Sequence, residues 1–246
     1  MSSRFLLAAL SIACCLAADA AGAETFVVVE SSATDVKVGA ELADGAVITV
    51  PDGARVVLVG ASGQVATLTG PFQGAPKLSG SGEPQSRVLA AVASLVATSG
   101  TTVGVWRATG SGWRAGTTKT AEDVFVIDAS DGGDTCLYDA SAARMTRDPS
   151  AGPGDVTITA MEGSAKAVFT WNRDMAYAPW PKDLPLADEA SYLIEQAGRD
   201  AAAVAAVHLL HDDPAMTGIQ RVVQLKESGC DAQARLLLAI IARNAR

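Results

Sequence analysis

Short runs of β-branched residues, separated by Gly, Asp and Pro turns, recur along most of this chain and restrict its fold more than any other feature. In the N-terminal part they predict strands at residues 26–29, 36–38, 46–50, 55–59 and 64–69. Residues 60–63 (GASG) separate the last two runs and predict a hairpin turn. Short strands joined by tight turns are typical of small barrels and sandwiches. We therefore expect a small β domain over residues 24–74.

The same pattern returns between residues 122 and 213. Runs bounded by Gly, Asp and Pro predict strands at residues 124–127, 136–138, 156–160, 165–171 and 191–195. This spacing is typical of an immunoglobulin-like β-sandwich. Residues 201–211 are ambiguous, because their alanines favour a helix whereas their position favours the closing strand of a hairpin. We favour the strand.

Helical spacing of apolar residues marks two other parts of the chain. Residues 75–121 read as a Gly/Ser/Pro-rich linker that contains one apolar helix, at residues 87–98. That helix is apolar nearly all round, so we expect it to be buried or to occupy a groove. Residues 214–246 predict a helical tail with helices at 219–227 and 231–244. The predicted fold class is thus mainly β with a helical C-terminus.

The N-terminus has the three parts of a secretory signal peptide. Arg4 supplies the positive charge, residues 5–17 form an uncharged apolar run, and residues 21–23 (AGA) form a small-x-small cleavage site. We therefore expect residues 1–23 to be a signal peptide cleaved after Ala23. The sequence predicts an exported protein, located in the periplasm.

This N-terminal segment has two alternative interpretations. Asp19 interrupts the apolar run before it reaches the about 20 residues that a membrane-spanning helix needs, which disfavours an anchor. Cys14 and Cys15 lie within the run, so a lipoprotein is the second alternative. No later stretch is apolar for long enough to span a membrane, so we expect no transmembrane segment in the mature chain.

The charge balance excludes some partners. The formal net charge is −8, and loss of Arg4 and Asp19 with the signal peptide leaves it at −8. Nucleic acids and anionic lipids attract clustered Lys and Arg, and the longest basic cluster here is residues 243–246 at a helix end. We expect no nucleic-acid binding.

Removal of the signal peptide would leave two cysteines, Cys136 and Cys230. Two thiols in one exported chain usually pair, so we expect a disulfide, with two buried free thiols as the alternative. Closing so long a loop stabilises a fold by roughly 4–5 kcal/mol in the chain-entropy model.

Residues 38–42, 46–50, 56–59 and 63–65 resemble a FecR-type periplasmic domain, with its Gly-x-x-Leu corner, I-T-V strand and following hairpin. The chain departs from that family by continuing into residues 68–72 (LTGPF) in place of an acidic-to-polar strand. The resemblance implies a non-enzymatic sensor or interaction module in the periplasm. Signalling across the membrane would then need a membrane receptor as partner.

Few residues suggest a site. Trp106 and Trp113 lie in a Gly/Thr/Ser-rich stretch and are the candidate ligand or partner surface, although we favour the alternative that each fills a seam between domains. His208, His211 and Asp212 would share a face and hold a metal only on a helix, because an odd offset on a strand places the two histidines on opposite faces.

Residues 128–134 (DASDGGD) are a second weak candidate, for calcium, but they lack the 12-residue pattern that ends in a bidentate Glu. We expect no cofactor and no resident metal. No serine lies in a motif that would support a triad with one of the two histidines. The sequence favours a non-enzymatic binding, sensing or scaffolding protein whose partner is an envelope protein or membrane receptor. The alternative is a cell-envelope hydrolase with an unrecognised active site.

Overall fold

A computed structural model describes residues 25–77, 86–97, 123–148, 151–173 and 175–245. The predicted signal peptide, Trp106 and Trp113 lie outside these ranges. Within them the chain is mainly β, with several sheets and a pair of C-terminal helices, so the predicted fold class is confirmed. No helix of the described residues has the length and apolar character needed to cross a membrane.

Four antiparallel strands form the N-terminal sheet, in the order β2-β1-β4-β5. They are β1 Phe26–Ser31, β2 Glu41–Leu42, β4 Arg55–Gly60 and β5 Val65–Thr69, and a separate pair is formed by β3 Ile48–Val50 and β6 Phe72–Gly74. The predicted hairpin between β4 and β5 is confirmed: Gly60 N donates to Gln64 O, and Gly63 has a φ of 79° that favours glycine.

β1 and β4 are buried on both faces, which explains their unbroken apolar runs. A strand with one face in water alternates apolar and polar residues, whereas a strand covered on both faces is apolar throughout. One face packs toward β3 and β6 through Phe26, Val28, Val56 and Leu58. The other face packs toward the helices through Val27, Val29, Val57 and Val59.

Three helices cover that second face: α1 Ser86–Ala97, α2 Gly218–Glu227 and α3 Asp231–Asn244. The three predicted helices are therefore confirmed. Their buried side chains join those of β1 and β4 in one cluster, named the helical core, which includes Val88, Val92, Leu95, Val222, Leu225, Leu237 and Leu238. The C-terminal helices are thus more than a tail, because they help to form the layer that covers the N-terminal sheet.

The remaining strands build a sandwich from two sheets. They are β7 Ile127–Asp128, β8 Gly133–Leu137, β9 Arg144–Thr146, β10 Gly154–Ala160, β11 Lys166–Trp171, β12 Tyr177–Pro179, β13 Ala190–Gln196 and β14 Ala203–Leu209. The larger sheet has the order β11-β10-β13-β14-β8, and the smaller has the order β12-β9-β7. Both sheets contribute to one sandwich core, which includes Ile127, Met145, Ile158, Trp171, Tyr192, Ile194 and Val207.

Some strand predictions need correction. Residues 36–38 do not form a strand but lie in two consecutive turns, in which Val36 N donates to Ala33 O and Ala40 N to Lys37 O. Of residues 124–127 only Ile127 belongs to a strand; Val124 is buried in the helical core. Residues 201–211 do contain a strand, as favoured. The strands β2, β6, β9 and β12 were missed because two or three residues are too few to show a period.

Candidate binding groove

The N-terminal end of α3 is joined to the sandwich. The predicted disulfide is confirmed between Cys136 of β8 and Cys230, with an S–S distance of 2.04 Å. Nearby, Gln233 Oε1 accepts from Cys136 N at 2.6 Å, and its Nε2 donates to Cys136 O at 3.0 Å and to Val124 O at 2.6 Å. β8 lies at the edge of its sheet. The buried amide of Gln233 therefore satisfies backbone groups that β8 would otherwise leave unpaired.

The C-terminal end of α3 is held by the N-terminal sheet. Arg55 Nη2 donates to Ala242 O at 2.7 Å and to Ala245 O at 2.6 Å, while its Nη1 pairs with Glu30 Oε1 at 2.6 Å. Thr67 Oγ1 also donates to Ala245 O, at 2.9 Å. These donors satisfy carbonyls that lack a partner within the helix, and the guanidinium favours the negative end of the helix dipole.

A capping box begins α2 close to α3. Thr217 Oγ1 accepts from Gln220 N at 3.2 Å, and Gln220 Oε1 accepts from Thr217 N at 2.7 Å. The next residue, Gly218, lies against α3: a Cβ there would stand 2.9 Å from Ile241 Cδ1. Glycine therefore allows the first turn of α2 to approach α3 at this level.

A groove opens between α2, α3 and the edge strand β5. Its volume is about 640 Å³, and it is lined by Val65, Phe125, Gly218, Arg221, Leu237, Ile240, Ile241, Asn244 and Ala245. The lining is mainly apolar, and Arg221 and Asn244 supply its polar side chains. A concave apolar surface with a few placed polar groups is the usual character of a binding site.

Arg221 is held in position at the groove by its neighbours. Its Nη2 lies 2.8 Å from Asp212 Oδ1, and its guanidinium lies over the Tyr138 ring, 4.9 Å from the centroid. Tyr138 OH donates to Gln224 Oε1 at 2.8 Å, and the Phe125 ring meets the Tyr138 ring edge-on at 4.9 Å. Burial raises the pKa of Tyr138, so its hydroxyl keeps its proton at neutral pH. The Tyr138 ring therefore lies under the guanidinium of Arg221 and helps to fix the position of its charge in the groove wall.

Residues 123–126 form the junction between the two cores. Tyr177 OH donates to the Asp123 carboxylate, and burial together with this hydrogen bond raises the pKa of Tyr177 to about 12. Val124 is buried in the helical core, and Phe125 packs against both cores. The aromatic wall of the groove is thus fixed from both sides.

The structure does not bring the weak metal candidates together. His208 lies on β14 with its Nε2 3.4 Å from Asp134 Oδ1, whereas Asp212 pairs with Arg221. His211 lies beyond the strand, and its carbonyl accepts from Gln224 Nε2. Across the described ranges, no three His, Cys, Asp or Glu side chains lie at a spacing that could hold a metal ion.

The calcium candidate at residues 128–134 is closed by its own backbone. Asp128 Oδ1 accepts from Ser130 N at 2.8 Å and from Asp131 N at 3.2 Å. Asp134, at the far end, instead lies beside His208. Burial raises the pKa of Asp128, which disfavours the charged form that calcium would need.

Sequence reasoning did not single out Phe125, Arg221 or the α3 wall of the groove. One signal was available: residues 236–241 (LLLAII) make α3 apolar on more faces than a single contact needs. Comparison with family models, with curated proteins and with solved structures finds no match to this chain. The resemblance to FecR-type domains therefore stays a prediction.

Proposed function

We propose that this chain is a non-enzymatic binding and scaffolding protein of the bacterial envelope, and that the groove between α2, α3 and β5 is its binding surface. The partner is an envelope protein that inserts bulky apolar side chains beside a carboxylate. The observation that carries the proposal is the combination of an apolar groove with an oriented cation, Arg221, in its wall.

The apolar part of the partner follows from the lining. Val65, Phe125, Leu237 and Ile241 offer hydrocarbon and aromatic surface, which an apolar side chain would remove from water. The volume of about 640 Å³ lies within the range of sites that enclose small ligands, so it has room for a few side chains. A short apolar segment of a protein fits these dimensions.

The carboxylate follows from the hydrogen-bonding capacity of Arg221. Its contacts to Asp212 Oδ1 and Asp213 O both use Nη2. A guanidinium carries five N–H donors in a planar fork that matches a carboxylate. Arg221 can therefore keep its ion pair with Asp212 and also donate hydrogen bonds to a second carboxylate on the groove side.

Two further observations support the location and the class of the protein. The signal-like N-terminus and the Cys136–Cys230 disulfide both suit an oxidising compartment outside the cytosol. The FecR-type resemblance of residues 38–65 implies an interaction module in the periplasm. Both expectations agree with a binding protein that acts outside the cytosol.

The proposal is tested with a photo-crosslinking amino acid at Asn244, the exposed polar residue in the lining. The matched control carries the same amino acid at Val47, which is 68% exposed and outside the groove. We expect a specific envelope protein to be captured from Asn244 and not from Val47, through a peptide that combines bulky apolar residues with an acidic one.

Affinity for the captured peptide gives the second measurement. Ile241→Asp places a charge in the apolar wall, and Arg221→Glu reverses the cation, so each is expected to weaken binding by at least about tenfold. Val47→Asp should leave the affinity unchanged. Equal capture from both positions, or an affinity that neither groove variant alters, would show that the groove is not the binding surface.

A further inference from the structure

We infer that the envelope partner binds as an added β-strand: an extended segment pairs with the outer edge of β5 and directs alternate side chains into the groove. This inference rests on the proposed function, because it specifies the conformation of the partner at the same groove. The feature that carries it is an unpaired strand edge beside an apolar groove. β5 is the last strand of the N-terminal sheet, and Val65 at its start lines the groove.

The hydrogen bonds of the β4–β5 hairpin show which main-chain groups of β5 point outward. Gly60 N donates to Gln64 O, and in an antiparallel ladder such pairs alternate with pairs whose N–H and C=O groups point away from each other. Counted from that pair, three residues of β5 direct their main-chain groups away from β4: Val65, Thr67 and Thr69. Among the described residues, none forms a hydrogen bond with these outward groups. β5 therefore offers a row of donors and acceptors to a further strand.

The other three edges of the four-stranded and five-stranded sheets are protected against such pairing. The amide of Gln233 covers β8 by bonding to the main chain of Cys136. β2 has only two residues, and β11 begins with Lys166. Short edge strands and charged edge residues both disfavour pairing with another chain. β5 (VATLT) is five residues long and contains neither a charge nor a proline, so it lacks this protection.

The groove lies where an added strand would place its inward side chains. Val65 packs against the helical core, and Thr67 Oγ1 donates to Ala245 O, so the side chains of these two residues point toward the helices. Paired residues of neighbouring strands share a face, with their Cβ atoms about 5 Å apart. A partner side chain opposite Val65 would therefore enter the groove, toward Leu237 and Ile241 of its α3 wall.

The charge of Arg221 indicates which side chains the added strand carries. Inward side chains recur at every second residue of a strand, about 6.6–6.8 Å apart. The groove of about 640 Å³ has room for two or three of them, and Arg221 in its wall favours a carboxylate at one. We expect the partner segment to combine bulky apolar residues and one acidic residue at alternate positions.

The edge of β5 also distinguishes a strand from a helix as the bound form. A helix satisfies its main-chain groups internally, so a bound helix would leave the outward groups of Val65 and Thr67 without partners. An extended segment has no internal hydrogen bonds and needs those groups. Addition of a strand to an open sheet edge, with pockets for alternate side chains, is an established mode of peptide recognition.

Selection from a phage library of random linear nonapeptides tests this inference, with the disulfide-intact chain lacking residues 1–23 as bait. We expect enriched peptides to carry apolar and acidic residues at every second position. Val47→Asp is the control bait, since Val47 is exposed outside the groove, and it should select the same peptides. Arg221→Glu should lose the preference for the acidic residue, and Ile241→Asp should lose the apolar one.

The outcomes of the selection separate the inference from the proposed function. Enriched peptides whose apolar residues recur at spacings of three and four would indicate a bound helix, and they would overturn the added strand while keeping the groove. No enrichment, or enrichment that Arg221→Glu and Ile241→Asp leave unchanged, would contradict the proposed function and the inference with it.

N-methylation of the most enriched peptide, one position at a time, tests the hydrogen bonds themselves. Only every second N–H of an added strand points to β5, so methylation should weaken binding by at least about tenfold at alternate positions and much less between them. Equal weakening at consecutive positions would overturn the added strand. Amide exchange at Thr67 should slow when the peptide binds, whereas exchange at Val168, which has the same outward position on the edge strand β11, should not change.

Discussion

The two cores of this molecule are assembled from the chain in different ways. The sandwich core draws its buried residues from one continuous part of the chain, from Ile127 to Val207. The helical core combines strands near the N-terminus with helices near the C-terminus, from Val27 to Ala242. Closing long loops costs entropy before contacts repay it. The helical core therefore depends on long-range ties that the sandwich core does not need.

The Cys136–Cys230 disulfide is the strongest of these long-range connections. Its removal should therefore produce the largest difference in stability between the helical core and the sandwich core. In a Cys136→Ala, Cys230→Ala variant we expect the helical core to lose roughly 4–5 kcal/mol of stability, since the bond closes a loop of sequence separation 94. Hydrogen exchange should rise much more in α2 and α3 than in β10 and β13. An equal rise of exchange in all four elements would contradict this expectation, because the two cores would then unfold as one unit.

Gln233 of α3 joins the helical core to β8 of the sandwich through hydrogen bonds. Gln233→Leu keeps the size of the side chain but leaves Cys136 N, Cys136 O and Val124 O without their hydrogen-bond partner. Unsatisfied buried polar groups are costly, so we expect a loss of about 3 kcal/mol in urea unfolding. Gln73→Leu, at an exposed position of β6, should change the unfolding free energy by no more than about 0.5 kcal/mol. Equal effects of the two variants would show that Gln233 is not a structural tie.

The sequence predicted the assembly of the sandwich better than the assembly of the helical core, and the reason is physical. Alternation in β10 and β13 is local, so residues such as Ile158 and Ile194 reveal their inward face without knowledge of the rest of the chain. The apolar faces of α3 show that it is buried but not against which surface. Tertiary contacts also override local propensity at residues 124–126, whose Val-Phe-Val run favours a strand but forms the junction between the two cores.

The candidate site was predictable only in its general character. Arg55 begins β4 and resembles an exposed strand end, yet it bonds to Ala242 O, 187 residues away. Arg221 resembles a solvent-facing residue of an amphipathic helix, and its position over Tyr138 depends on the packing of α2 against the residue that follows β8. Such roles follow from the assembly of distant parts. A local pattern cannot contain them.

Arg55 is the tie that acts within the helical core. Arg55→Met keeps the hydrocarbon stem but removes the donors to Ala242 O and Ala245 O, so the last turn of α3 should fray. We expect a loss of about 2 kcal/mol and faster amide exchange at residues 242–245, with the sandwich strands unchanged. The exposed Arg173, in the sandwich, provides the control Arg173→Met, for which little change is expected. Unaltered exchange at the end of α3 would contradict the role assigned to Arg55.

Replacement of Asp128 should change the stability less than the preceding variants do, and the change should be confined to the sandwich. Burial raises the pKa of its carboxyl, so over the range between the ordinary and the raised pKa the folded chain binds more protons than the unfolded chain. Stability should therefore fall as pH rises through that range, and the cost of the buried charge persists at neutral pH. Asp128→Asn keeps an oxygen to accept from Ser130 N and Asp131 N but carries no charge. We expect it to be more stable than the parent at neutral pH by less than about 1 kcal/mol, and to lose this advantage in acid.

Asp139 offers a control of opposite sign for that experiment. Its pKa is lowered by hydrogen bonds from the Ser141 hydroxyl and the Ser141 amide, so its contribution is present at neutral pH and is lost as pH falls. Asp139→Asn should therefore remove the part of the stability that is present at neutral pH and lost in acid. The stability of this variant should fall less on acidification than that of the parent. Urea unfolding of both variants across acid and neutral pH, followed by the fluorescence of the buried Trp171 and Trp180, measures the two slopes. If Asp128→Asn were instead less stable at neutral pH, the Asp128 carboxylate would be a favourable partner of its loop, and burial would not dominate its pKa.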